Sequence, residues 1–184
     1  MKIVKTIFSI LIIPYVIIAI FTTACLMNYN KYGITEFGNK SLIIVEDNSL
    51  EPTFKKGNLL VVKRNENLES VKPGDSIFFY NNYNNEVSVS LSNVLKRTKV
   101  NDKEYTYTID GNYDVSSEYY IGSVNDTSIY SFWGTLLGVF TSRIGYLLIF
   151  VLPILCFFLY EIYAVIREVK EYKEEKQWKE DSSL

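Results

Sequence analysis

Residues 42–64 read LIIVEDNSLEPTFKKGNLLVVKR. Two runs rich in Leu, Ile and Val, LIIVE at 42–46 and NLLVVKR at 58–64, flank a segment that holds Pro52 and the triplet Lys56-Gly57-Asn58. Short β-branched runs bounded by Gly, Pro and Asn are the pattern of strands joined by tight connections. The pattern continues outward with SIFFY at 76–80, EVSVSLSNVL at 86–95 and EYTYTI at 104–109. Between these runs lie Pro73-Gly74-Asp75, the Asn-rich stretch 81–85 and Asp110-Gly111-Asn112, all residues that tolerate left-handed or proline-fixed backbone. Residues 28–130 are therefore expected to form a small, mainly β domain.

Two apolar runs enclose that domain. Ile7 to Met27, IFSILIIPYVIIAIFTTACLM, has no charged residue, and Ile144 to Ile166, IGYLLIFVLPILCFFLYEIYAVI, has only Glu161. Each is about the twenty residues that a helix needs to cross a hydrocarbon layer. The first is too long for an ordinary secretory leader and no A-x-A site follows it, so a retained anchor is expected. Lys2 and Lys5 precede the first run, and Arg167, Lys170 and Lys173 follow the second. Positive charge concentrates on the cytoplasmic side, which places 1–6 and 167–184 in the cytoplasm and the domain outside. Phe132, Trp133 and Phe140 lie within 131–143, an expected interfacial segment. The tail after 166 alternates acids and bases at helical spacing, a solvated helical extension.

Composition excludes several chemistries. Net charge is −2 with no basic concentration on the central segment, so no nucleic-acid role is expected. The two cysteines, Cys25 and Cys156, both fall in the apolar runs and read as small hydrophobes. The chain has no histidine, which removes a Ser-His-Asp triad and every His-based zinc site. Proton transfer is left to Lys, Asp, Glu or Tyr. No metal or cofactor is expected.

Within this frame, Asp47-Asn48-Ser49-Leu50-Glu51-Pro52-Thr53, followed by Lys56-Gly57-Asn58-Leu59-Leu60-Val61-Val62-Lys63, resembles the nucleophile box of type I signal peptidases. Five features recur in order: a Ser, an apolar residue, a Pro-Thr pair, a Gly and a hydrophobic strand. Val94-Leu95-Lys96-Arg97 resembles the family's apolar-Lys-Arg box, and Asp110-Gly111-Asn112 with Asp114, Gly122 and Val124 resembles its Gly-Asp-Asn box with Gly and Asp transposed. The resemblance spans 43–124 and implies a signal-peptidase-like fold, with Ser49 as nucleophile and Lys96 as general base. It further implies the Ser49 backbone N–H as oxyanion donor, with Arg97, Asp110 and Asp114 in support. The two-span layout resembles the subfamily of endoplasmic reticulum, archaeal and some Gram-positive enzymes, which often has His at the position of Lys96. Lys in its place and the Asn, Lys and Tyr bias suggest a Gram-positive plasma membrane.

A serine hydroxyl needs an adjacent base, and a lysine can serve once burial keeps it neutral. The expected reaction is removal of N-terminal leaders from exported precursors through an acyl-enzyme on Ser49, and the resemblance implies small residues such as Ala at the first and third positions before the cut. β-Augmentation beside the strand leading to Ser49 would seat the substrate. Asp47 stands where the family has Ser or Gly, and as a carboxylate it can only accept hydrogen bonds. It is expected to turn outward. The rival expectations are a non-catalytic relative that holds precursors, such as pilin-type surface proteins, and a dedicated peptidase with few clients. Taken singly, Ser49 reads as a turn residue and Lys96-Arg97 as a solvated strand end.

Overall fold

The computed structural model describes residues 2–65, 67–83, 86–101 and 104–181, and the side chains of 2–9, 11, 83, 86 and 175–181 lie outside that description. Two compact units result, Met1–Thr141 and Ser142–Leu184.

The first unit begins with helix α1, Lys2–Met27, which covers the whole first apolar run; only its Ile12–Met27 part is a described apolar helix, shorter than a full span. After it come nine strands among the described residues. Strands β1 (Thr35–Phe37), β2 (Lys40–Ile44), β3 (Leu59–Lys63) and β9 (Thr127–Tyr130) form a four-stranded antiparallel sheet in the order β1-β2-β3-β9. Strands β4 (Ser76–Tyr83), β5 (Glu86–Lys99), β6 (Tyr105–Ile109), β7 (Tyr113–Ser116) and β8 (Tyr120–Ser123) form a five-stranded antiparallel sheet in the order β7-β6-β5-β4-β8. The mainly β reading of the domain is thus met, with strands at all five of the expected runs. The Asn84-Asn85 part of the 81–85 turn lies outside the described residues.

Strand β4 explains why SIFFY is apolar without alternation. Phe78 and Tyr80 enter one buried cluster with Ile43, Val45, Leu50, Phe54, Leu60, Val62 and Ile121, whereas Ile77 and Phe79 enter a second with Val94, Tyr107, Ile109 and Tyr120. A strand covered on both faces has no polar side to show. At roughly 1.5–3 kcal/mol for each large apolar side chain withdrawn from water, the completely buried Ile77 and Phe78 alone contribute several kcal/mol. Strand β8 divides in the same way, Ile121 facing the first cluster and Tyr120 the second. Gly122 sits where β8 comes up against β3. A Cβ there would fall 2.4 Å from Val62 Cγ1 and 3.0 Å from the Lys63 carbonyl oxygen, so only glycine allows the approach.

Strand β5 is long because it serves both halves of its sheet. Its first part pairs with β4, from Tyr83↔Glu86 to Ser76↔Asn93, and its second part pairs with β6, with a bulge between Val94 and Lys96. Helix α2, Trp133–Thr141, closes the unit by packing on α1, β2 and β3, with Gly134 and Leu137 buried. The segment expected to lie at an interface is thus in part a packed helix.

In the second unit α3 (Arg143–Tyr146), a π-helical turn (Leu147–Val151) and α4 (Leu152–Asp181) follow without a break. Arg143–Glu174 is long and apolar enough to cross a membrane, with a mean hydropathy of 2.4 over its most apolar window. The charged tail stays helical to Asp181, with Arg167 and Glu171 paired one turn apart at 3.1 Å.

Candidate functional site

Ser49 stands in the loop between β2 and β3, which is tied at both ends. The Val45 N–H donates to the Asn58 carbonyl at 3.0 Å, and the Gly57 N–H to the Val45 carbonyl at 2.8 Å. Gly57 adopts φ +87°, a left-handed turn suited to glycine. Inside the loop, Leu50 and Phe54 are buried in the first core cluster, and the Phe54 N–H donates to the Leu50 carbonyl at 2.9 Å. Leu50 is therefore an anchor, which accounts for an apolar residue directly after Ser49. The Glu51–Pro52 bond is cis.

Ser49 borders a cavity of about 350 Å³. Its walls come from five places: the corner at Tyr29 to Thr35, the end of β2 from Leu42 to Asp47, Tyr80 on β4, Val87 to Val89 on β5, and Leu137 with Thr141 on α2. Most of the lining is aliphatic or aromatic, and its described charged members, Glu46 and Asp47, are both acids.

One wall is an open strand edge. Strand β1 pairs with β2 only as far as Thr35↔Leu42. Both backbone polar groups of Val45 face β3, so by alternation those of Ile44 and Glu46 face the opposite side, beyond the end of β1. Among the described residues no backbone hydrogen bond reaches Ile44 or Glu46 from that side. An extended chain laid there would find free donors and acceptors running toward Ser49.

At the corner a polar cluster fixes the cavity's shape. Asn30 Oδ1 accepts from the N–H groups of Tyr32 and Ile34 at 2.8 and 3.1 Å, and its Nδ2 donates to Glu36 Oε1 and to the Tyr80 hydroxyl at 2.8 and 2.6 Å. The Tyr80 hydroxyl in turn donates to Glu36 Oε1 at 3.0 Å, and its ring lies against Tyr32 with centroids 4.2 Å apart. Burial, then the charge of Glu36, raise the Tyr80 phenol well above its ordinary range.

Asp47 is solvent-exposed and folds back on Ser49. Its carboxylate accepts from the Ser49 backbone N–H at 2.9 Å and from the Ser49 hydroxyl. The hydroxyl contact and then the N–H contact hold the Asp47 carboxyl below the usual carboxylate range, against a smaller opposing effect of desolvation. The N–H expected to serve as oxyanion donor is thus engaged by an internal carboxylate.

Lys96 is not among the residues that line the cavity with Ser49. It follows the β5 bulge opposite Thr108, and both Leu95 and Lys96 are exposed rather than buried. From Val89, which does line the cavity, it is seven residues along the strand, roughly 23 Å at about 3.3 Å per residue. Arg97 is fixed elsewhere: it donates to the carbonyls of Glu69 and Val71 and lies 5.6 Å from the Tyr105 ring centroid. Asp110 accepts from the Asn93 backbone and side-chain amides at 3.3 and 2.9 Å, and Asp114 from the Thr108 hydroxyl at 2.8 Å. These two acids brace turns and strands, and no contact of theirs to Lys96 or Arg97 is described.

The sequence singles out Ser49 but not Tyr80, Ser88 and Leu137, which line the same cavity. Those residues come from elements distant in the chain, and the sole local signal was the alternating VSVS of β5. Among the described residues no group of acids and cysteines could hold a metal. No family model, no curated protein and no solved structure matches this chain.

Proposed function

We propose that this chain is a membrane-anchored protein of the signal peptidase kind whose outward β domain receives the leader end of exported precursor proteins beside Ser49. The observation that carries the reading is the open edge of β2: Ile44 and Glu46 present backbone groups without a backbone partner among the described residues, along a largely apolar cavity that Ser49 borders. An extended segment would gain main-chain hydrogen bonds from the edge and apolar contacts from Ile34, Val87, Val89 and Leu137. The helix Arg143–Glu174 and α1 are the proposed spans, with both chain ends in the cytoplasm.

In the arrangement described, the cavity favours holding the segment over cutting it. Among the described residues that line it with Ser49 there is no lysine, and Asp47 occupies the N–H that an oxyanion would need. Hydrolysis by a Ser49/Lys96 dyad is the second reading, favoured by the two motifs that the sequence carries in order, 49–53 and 94–97. It requires Lys96 to reach Ser49 and Asp47 to release the Ser49 N–H.

A precursor with an A-x-A leader, mixed in lipid with the wild-type chain, Ser49→Ala and Lys96→Ala, separates the two. Retention of intact precursor by all three is the expected result. Cleavage by wild type that disappears in both variants would establish the peptidase. Neither retention nor cleavage would overturn the proposal.

A further inference from the structure

At the end opposite the Ser49 loop, strands β2 and β3 border a second recess. Strand β2 begins at Lys40 and β3 ends at Lys63, directly across from it, so the two side chains leave the same face of the sheet. Arg64 follows, and its N–H donates to the Asn39 carbonyl at 2.8 Å, which ties the corner together. Asn39, Lys63, Arg64, Asn65 and Asp126 line a cavity of about 250 Å³ there. It shares no lining residue with the Ser49 cavity. The strand between Lys40 and Ile44 sets the two ends of the hairpin roughly 13 Å apart, at about 3.3 Å per residue.

The charges at this corner work against the fold. Like charges directly opposed on paired strands repel, and Lys40 and Lys63 are so opposed, with Arg64 next in the chain. Among the described residues the side chains of Lys40, Lys63 and Arg64 make no ion pair and no hydrogen bond, and Asp126 pairs with none of them. Local conflicts of this kind collect at functional sites. A second unmet group lies close by. The Tyr120 hydroxyl is buried without a hydrogen-bond partner among the described residues. Its phenol is raised by burial first and then by Tyr107, and the charges of Asp126 and Arg64 reach it as well, so two residues of the lining neighbour it.

Charge and size select the occupant. Lys40, Lys63 and Arg64 against Asp126 leave an excess of about two positive charges. A phosphate monoester carries about −1.5 to −2 at pH 7, which matches that excess, whereas a single carboxylate would leave half of it unmet. The planar arginine fork takes two oxygens of a phosphate at once, and lysine serves as a point charge beside it. At about 250 Å³ the recess is smaller than the roughly 300–1,000 Å³ of sites for drug-sized ligands, so it suits a small group.

We propose that this corner of the β domain binds a phosphate group, held by Lys63 and Arg64 with Lys40 and the Asn39 amide beside them. The site is separate from the peptide seat at Ser49 and stands whether or not that seat retains precursors. Asp126 tempers it, since its carboxylate lines the same recess and opposes an anion.

The test is calorimetric titration of inorganic phosphate into the full chain in detergent and neutral chloride buffer. Wild type should bind saturably. Arg64→Gln should bind about tenfold more weakly and Lys63→Gln should bind more weakly as well, while Asp126→Asn should bind about threefold more tightly. All three side chains are exposed, so near-UV circular dichroism should show each variant folded as wild type. Lys56→Gln removes a cation from outside the recess and should leave binding unchanged. Glycerol phosphate binding more tightly than inorganic phosphate would support an esterified group as the occupant, and the reverse order the free ion. Absence of saturable binding, equal weakening in Lys56→Gln and Arg64→Gln, or displacement of phosphate by an equal concentration of acetate would each overturn the proposal.

Discussion

Two glycines of one helix should respond oppositely to the same substitution. At Gly134 an alanine Cβ would meet backbone: the Asn58 carbonyl oxygen at 2.2 Å, its carbon at 2.4 Å and the Gly57 carbonyl oxygen at 2.7 Å. Backbone cannot rotate aside, so overpacking of about 1–3 kcal/mol is expected. Little of that is recovered from alanine's helix preference, because Gly134 lies in the first turn of α2. At Gly138 the Cβ would meet only Ile44 Cγ2 at 3.7 Å, an ordinary contact, and replacing a mid-helix glycine returns about 0.5–1 kcal/mol. With roughly 4 °C per kcal/mol for a domain of this size, Gly134→Ala should lower Tm by about 4–12 °C and Gly138→Ala raise it by about 2–4 °C. Thermal unfolding of the full chain in detergent, followed by near-UV circular dichroism, reads both. Since Leu137 and Thr141 of the same helix line the cavity, Gly134→Ala should also weaken precursor retention. Shifts of the same sign in the two variants would refute the reasoning.

Arg97→Met should destabilise the domain by about 1–2 kcal/mol, since it removes the guanidinium nitrogen that donates to both the Glu69 and Val71 carbonyls; a midpoint in denaturant that does not move would place Arg97 outside the structural framework. The Asp47 carboxyl, held low first by the Ser49 hydroxyl, should titrate below its ordinary 3.8 and move upward in Ser49→Ala when followed by carboxyl ¹³C NMR. A depressed carboxyl stabilises the fold above its unfolded pKa and loses that contribution as pH falls through the folded one, so acidification from pH 7 to 5 should leave the Asp47–Ser49 contact in place. Burial raises Tyr107 to about 12 and pushes Tyr80 and Tyr120 up as well. Groups raised in this way stabilise the fold below the ordinary tyrosine pKa, so stability should fall as pH rises above about 10, and ultraviolet titration at pH 11 should show these phenols still neutral.

The longer strands were legible because their residues are locally consistent. The runs at 42–46, 58–64, 76–80, 86–95 and 104–109 each carry β-branched or aromatic residues between turn formers, and strands lie on all five. Strands β1, β7, β8 and β9 have only three or four residues, too few to show a period, and are fixed by pairing partners distant in sequence. The expected end of β5 at residue 95 fell short of Lys99 because the bulge lets one strand turn from β4 to β6. That same bulge leaves Leu95 and Lys96 exposed, where the residue types alone suggested a buried base. Helix α2 was hidden by its two glycines, which read as interruptions, although Gly134 is what lets the helix dock. Ser49 was visible through its local box. Its neighbours Tyr80, Ser88 and Leu137 had no comparable signal, since only the tertiary fold gathers them around one cavity. Asp47 was recognised as unusual, but which way its side chain turns is decided by the short-range hydrogen bonds to Ser49.

The most direct test of a peptide seat on the β2 edge is precursor retention by Ile44→Pro beside Ile44→Val. Proline removes one of the two backbone donors, those of Ile44 and Glu46, that face the open edge and leaves the pairing with β3 intact, while valine keeps that donor. Losing a main-chain hydrogen bond of about 1 kcal/mol corresponds to roughly fivefold weaker retention. The account expects that loss in Ile44→Pro and near-native retention in Ile44→Val; equal retention by both variants would contradict it.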